Sequence, residues 1–350
     1  MKPKNWIGAG VAIFLLVGFG IFGWALSGRK TSIPLTPLST IQFKEKPLEK
    51  YTIENLARRT YVASPIIFGD AIATTTAFHV LPFSFLSDGK KVTGLAHIPN
   101  VPLIEKLPVV VQFRGFVDPA NYEQGVGTKR SAEVYAKNGF VSLSPDFLRY
   151  GGSDQGSENV FEDRFETYTT ALNLLASIPT ISFIDPTHVF LWGHSNGGQI
   201  ALSVLTILGE KGNVYPTTLW APVTKIFPYS ILYYTDEFED YGKSLRKELA
   251  EFEKEYDVDQ FAFRNYLNRI TAPLILHQGT DDEAVPQKWS DDFVSVMKAK
   301  GQSIRYYTYP GADHNLNTGP ASTRGDIEST RGGWNTVVAR DVEFFRSFLR

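Results

Sequence analysis

The residues in this chain best suited to chemistry lie in HVFLWGHSNGGQIALSVL, positions 188–205. The stretch reads as a short apolar strand, a Gly-His-Ser-Asn-Gly-Gly turn, and an apolar helix. This is a G-x-S-x-G elbow in the strand–turn–helix context that gives the motif meaning. Ser195 stands at the tip, flanked by Gly193 and Gly197. Glycine is needed there because strand and helix pass so close that a Cβ would collide. The amides of the helix then point toward the place where an oxyanion would form.

A serine hydroxyl is a weak nucleophile at neutral pH. It needs a histidine to take its proton and a carboxylate to hold that histidine in one tautomer. In the α/β-hydrolase order that accompanies this elbow, the acid follows the serine and the histidine comes last. The chain has six histidines, and only His277 and His314 lie well downstream of Ser195. His277 closes a strand-like run, Pro273 to His277, and precedes every acid of the next turn. That leaves His314, in YPGADHNL, after the strand-like run Ser303 to Tyr309. The acid is Asp281 or Asp282. The spacing Gly279-x-x-Asp282-x-x-Val285-Pro286 favours Asp282. An oxyanion hole needs two donors. The Asn196 amide is one. The other is expected from the loop after the strand LPVVVQF, where Phe116 is the first nominee and Gly115 the second.

From about residue 80 to 350 the chain resembles the catalytic domain of the prolyl oligopeptidase family of serine peptidases, and more broadly the dienelactone-hydrolase-like esterases. The resemblance rests on PVVVQFRGF, GFVSLSPDFLRYGGSD, IDPTHVFLWGHSNGG, APLILHQGTDDEAVP and YPGADHNL, in that order. It implies an α/β-hydrolase fold and puts the family's triad on Ser195, Asp282 and His314. Peptidases and esterases share all five segments. The implied activity is therefore cleavage of peptide or ester bonds through an acyl-enzyme, with an esterase lacking peptidase activity as the alternative. A non-catalytic binding protein on the same fold is a more distant one. Where many relatives carry His-Gly after the third core strand, this chain carries Arg114-Gly115.

The elements that must position these residues alternate. Strands are expected at 109–113, 141–145, 189–192, 218–221, 273–278 and 304–309. Helices are expected at about 129–138, 161–176, 197–208, 289–300 and 334–349. Such alternation predicts a mainly parallel sheet flanked by helices, with the ligand site at the carboxyl ends of its strands. Residues 223–270 break the pattern with a tyrosine-rich part and a charged helix, and read as a small helical lid. Residues 47–98 read as a β-rich arm with strands at 61–67, 77–86 and 92–97. This divides the chain into 1–30, a tether and arm at 31–80, and a catalytic domain at 81–350. The space ahead of the core is too short for a β-propeller.

Composition narrows the rest. The chain has 350 residues, 43% apolar and 21% charged, as in an ordinary globular protein. A formal net charge of −2 makes no electrostatic case for nucleic acid. With no cysteine, a thiol nucleophile, disulfides and Cys-ligated metals are excluded. No metal or cofactor is expected; the partner is a small peptide or ester substrate. Residues 6–26 carry no charge, and as a helix would span about 31 Å, enough for a bilayer core. Lys2 and Lys4 precede the run, Arg29 and Lys30 follow it, and Trp6 and Trp24 stand near its ends. A transmembrane anchor is expected, with a cleaved signal peptide as the rival. The corresponding location is a single-pass membrane protein with its catalytic domain on the extracytoplasmic side.

Overall fold

The strand at the centre of the molecule, Leu107–Phe113, buries Val109, Val110 and Val111 completely. A strand buried on both faces must be covered by helices on both sides, and here it is. A computed structural model of the chain describes residues 45–102, 105–235, 239–318 and 333–349. Its ten strands are β1 (Ile67–Phe68), β2 (Ala73–Thr74), β3 (Phe78–Ser87), β4 (Lys90–Pro99), β5 (Leu107–Phe113), β6 (Val141–Pro145), β7 (Ile184–His194), β8 (Thr217–Trp220), β9 (Leu274–Gly279) and β10 (Ile304–Tyr309). They form one sheet in the order β1-β3-β4-β6-β5-β7-β8-β9-β10, with β2 paired to β3. From β6 to β10 every pairing is parallel; β3, β4 and β6 pair antiparallel.

The helices are α1 (Ile53–Arg58), α2 (Lys129–Lys137), α3 (Val160–Ser177), α4 (Asn196–Gly209), α5 (Tyr229–Leu232), α6 (Lys243–Glu255), α7 (Gln287–Ala299) and α8 (Gly333–Arg346). α4 follows the serine turn directly and buries nearly its whole surface, from Gly197 to Ile207. That agrees with its apolar sequence, which has no wide polar face to turn to solvent. α3 packs beside it under the same face of the sheet, while α2 and α8 enclose the cluster of Tyr135, Phe140, Phe190, Trp192 and Phe345. This is the α/β-hydrolase fold, with a mostly parallel sheet flanked by helices.

The N-terminal part differs from expectation in two ways. Residues 53–58 are helical, started by Thr52, whose hydroxyl accepts the Asn55 amide at 3.2 Å. Residues 61–66 form no strand, so of the run 61–67 only Ile67 is paired. The reason is local: Pro65 lacks a donor for a ladder, and Tyr61 is tied back by its hydroxyl, which donates to the Leu56 carbonyl at 2.9 Å. A boundary at residue 80 would fall inside β3, which pairs along its full length with β4 and through it joins the main sheet. The strands expected as an arm are thus part of the core.

The described part of residues 223–270 holds α5, α6 and two short helical turns, Val258–Phe261 and Phe263–Arg269. α6 and the turns after it pack by Phe252 and Phe261 onto Phe165, with Phe227 wedged between Phe161 and Phe252. Among the described residues no helix is long and apolar enough to cross a membrane. The expected span 6–26 and most of the loop after His314 lie outside them.

Candidate active site

Ser195 follows β7 directly, with φ +54° and ψ −120°, a conformation few residues other than glycine adopt. Three backbone bonds hold it there. Its amide donates to Trp220 O at 3.0 Å, and its carbonyl accepts from Gly198 N at 3.0 Å and Val223 N at 2.9 Å. A Cβ on Gly197 would overlap the Phe113 carbonyl of β5, and one on Gly193 would lie 2.6 Å from the Gly197 carbonyl. The two glycines therefore let helix and strands approach closely enough to push the serine out at the tip.

Asp282 and His314 come from the loops after β9 and β10, which are neighbours in the sheet. His314 Nδ1 lies 2.9 Å from Asp282 Oδ2 and 3.0 Å from Oδ1. The carboxylate is nearly enclosed, and its remaining capacity is filled. Oδ1 accepts the amides of Ala284 and Val285 at 2.9 and 2.8 Å, and Oδ2 accepts Gln278 Nε2 at 2.9 Å. An ionised carboxylate only accepts, so Nδ1 of His314 must carry the proton, leaving Nε2 with its lone pair. Asp281 is exposed and accepts from Thr280 Oγ1 instead. Of the two aspartates, Asp282 is the one against His314.

On the other side of Ser195 runs the loop after β5. A Cβ added to Gly115 would lie 3.1 Å from Ser195 Cβ, so this loop passes directly over the serine. Arg114 is buried and fixes the loop. Its Nη1 donates to Gly115 O at 2.9 Å and its Nη2 to Asp146 O at 3.0 Å. The guanidinium lies 4.0 Å from the Tyr150 ring and 4.8 Å from that of Tyr122. In a trans peptide C=O and N–H point opposite ways. Arg114 draws the Gly115 carbonyl to itself and so turns the Phe116 amide away from the guanidinium. The Phe116 side chain is exposed. Asn196, the first residue of α4, is half-buried beside it.

Sequence reasoning gave His277 no role in the site, and the structure puts it elsewhere. It is wholly buried, with Nδ1 2.7 Å from Tyr309 Oη and Nε2 3.0 Å from Asp341 Oδ1; Asp341 also accepts from Tyr135 and Trp220. This network ties α8 to the sheet. Two contributors were missed. Gln278, at the end of β9, braces Asp282. His194, the residue before the serine, donates from Nε2 to the His314 carbonyl at 3.0 Å, with the two rings 4.7 Å apart. The only signal for either was adjacency to a candidate.

Burial, with the neighbouring His314 adding to it, holds the His194 ring down to about 4. Burial, with Lys129 adding, does the same to His97, whose ring nitrogens have no hydrogen-bond partner. Free histidine titrates near 6.5. Between about 6.5 and 4 the unfolded chain binds protons that the folded chain refuses, so stability is present in full above pH 6.5 and is lost as pH falls toward 4. The slope is on the order of 1 kcal/mol per histidine per pH unit. Thermal midpoints should change little from pH 8 to 6.5 and drop steeply from 6.5 to 4.5. A flat profile across the lower interval would show that these rings titrate normally.

Known proteins place the chain further. Residues 130–331 match the prolyl oligopeptidase family, a span that holds Ser195, Asp282 and His314. Protein ABHD12B of Homo sapiens is 27% identical over 218 residues, which is 60% of this chain and 56% of that protein. Dipeptidyl peptidase family member 6 of Caenorhabditis elegans is 26% identical over 138 residues, 37% of this chain and 18% of that protein. The match thus spans about half or less of the length of these relatives. Among solved structures, an acetyl xylan esterase from Paenibacillus sp. R4 superposes with a TM-score of 0.60 at 15% identity, over 83% of this chain and 91% of that one. A puromycin-hydrolyzing peptidase of Mycobacterium tuberculosis gives 0.57 at 18% identity, over 79% of this chain and 40% of that one. These two likenesses concern the fold. The match over 130–331 covers more than half of the sequence and includes the elbow and both loops behind it, and by it this chain belongs to the prolyl oligopeptidase family.

Proposed function

We propose that the chain is a serine hydrolase that cleaves small esters and short peptide derivatives through an acyl-enzyme. The observation that carries this reading is the His314 Nδ1–Asp282 contact at 2.9 Å, on loops that follow neighbouring strands, together with a serine held at φ +54° on the elbow after β7. Ser195 Oγ attacks the substrate carbonyl carbon and His314 Nε2 takes its proton. Asp282 keeps the imidazole in the required tautomer and stabilises the imidazolium that forms. The amides of Asn196 and Phe116 receive the oxyanion. His314 then gives its proton to the leaving alcohol or amine. Water deacylates the serine by the same steps in reverse order.

Amine leaving groups are poorer than alcohols, so protonation by His314 weighs more heavily on peptide bonds. Both substrate types enter beside the serine turn through a cavity that Ile231, from residues 223–270, borders. A panel of short acyl esters and of aminoacyl and dipeptidyl anilides tests this. Turnover of both is expected, with the esters at least tenfold faster in kcat/KM. Anilide turnover alone would make the enzyme a strict peptidase, and absence of both would contradict the reading. We propose also that residues 6–26 anchor this activity to a membrane, the catalytic domain lying on the extracytoplasmic side.

A further inference from the structure

A cavity of about 230 Å³ opens beside the serine turn, lined on one side by Phe116 and Asn196 and on the other by Leu148, Ile200, Ile231 and Arg164. In the hydrolase reading this is where an acyl group must lie, because the two proposed oxyanion donors border it. Phe147, Leu148, Ile200 and Ile231 suit a short alkyl chain, but the charged residues Arg114, Asp163, Arg164 (on α3) and Glu166 border the cavity too.

The charges around the cavity are unevenly matched. Asp163 and Glu166 also line it, and each has a cation. Arg149 Nε lies 2.8 Å from Asp163 Oδ1, and Lys90 Nζ lies 2.5 Å from Glu166 Oε1. Arg164 makes no ion pair among the described residues. Its Nη2 donates to Gln199 Oε1 and, at 3.4 Å, to Ser230 Oγ, both neutral oxygens. Its Nε is buried with no acceptor. Gln199 itself is fully committed, its Nε2 donating to Lys225 O at 2.7 Å and Ser230 Oγ at 3.2 Å. It sits one helical turn after Ser195 on α4, so the guanidinium is held a short way along the cavity from the nucleophile. A guanidinium has five donors in a fixed fork that fits a carboxylate with two bonds. Leaving such a cation partly buried and without a counter-charge is costly unless something completes it.

We propose that Arg164 is a specificity residue and that the preferred acyl group ends in a carboxylate. The substrate class is then the monoester, or monoamide, of a short dicarboxylic acid. Water cleaves it to the dicarboxylate and the free alcohol or amine. This rests on the hydrolase reading and narrows it, since a site of this charge selects against a substrate that presents a free amine to the same cavity.

The test compares the 4-nitrophenyl monoester of adipic acid with 4-nitrophenyl hexanoate. The two match in chain length and leaving group and differ in terminal charge. The full chain should prefer the anionic ester by at least tenfold in kcat/KM, and raising salt from about 20 to about 500 mM should shrink that preference. R164M should lower the ratio of the two kcat/KM values at least tenfold, chiefly through KM for the anionic ester. R164K, which keeps charge but loses the fork, should restore part of it. A wild-type ratio near or below one, or a ratio unchanged in R164M, overturns the proposal. Should R164M not fold, the wild-type ratio and its salt dependence decide alone. A fluorophosphonate probe separates the two claims. If Ser195 takes the label and the anionic ester is not preferred, only this proposal falls. If Ser195 takes no label and neither ester is cleaved, the hydrolase reading falls with it.

Discussion

Replacing Ser195 with alanine will lower ester hydrolysis by about four orders of magnitude or more while the protein stays folded. The size follows from what the residue does in the account. Without Oγ no acyl-enzyme forms, and only the oxyanion donors and the cavity remain to help water attack directly. The fold should be indifferent, because Ser195 is held by its backbone, through Trp220 O, Gly198 N and Val223 N, and alanine keeps all three bonds. The strain at φ +54° is not relieved by losing the hydroxyl, so the elbow should keep its shape. The measurement is initial rate on an activated acyl ester, with thermal unfolding as control. A rate within tenfold of the parent would remove Ser195 from the chemistry.

The second large effect separates two adjacent aspartates. Asp282→Asn should cost about 10³- to 10⁴-fold in kcat, and Asp281→Asn less than about threefold. An amide at 282 can present a donor to Nδ1 and so reverse the tautomer of His314, taking the lone pair from the nitrogen that must receive the serine proton. It also disturbs a filled set of partners, since Ala284 N, Val285 N and Gln278 Nε2 all point at the carboxylate. The Asp281 carboxylate is exposed and accepts from Thr280 Oγ1, while its backbone amide, which the substitution keeps, donates to Ala312 O. The pH–rate profiles of both variants distinguish a tautomer effect from a folding defect. The Asp282→Asn rate should recover partly at high pH, where hydroxide can replace the missing base. Equal losses in the two variants would move the orienting role away from Asp282.

The residues that lie at strand ends could be read from the chain, and those that act across the fold could not. Ser195 and Asp282 each follow an apolar run that marks a buried strand, His314 follows the half-exposed edge strand β10, and their order along the chain is that of the fold. The choice between Asp281 and Asp282 is a matter of which way a turn faces. Spacing favoured one, and the contact at 2.9 Å is a three-dimensional fact. His194 bonds to a carbonyl 120 positions away, and Arg164 meets Gln199 across 35. No period or spacing records such pairs. Arg114 stood out only because it replaced an expected histidine; its place between Tyr122 and Tyr150 explains how the loop is held without one. The strands β3 and β4 were legible as strands but not as members of the main sheet, because an antiparallel hairpin reads alike in an arm and at a sheet edge. The short α1 was missed, since six residues after a threonine cap carry too little periodicity to separate from a loop.

The central claim is that Ser195 is the residue that carries the acyl group. It is tested most directly by reacting the full chain with a fluorophosphonate and mapping the adduct by peptide mass spectrometry. The account predicts one modified residue, Ser195, with labelling lost in Ser195→Ala and strongly slowed in His314→Ala, whose imidazole is the base. Labelling that persists in Ser195→Ala, or an adduct on another residue, would contradict it.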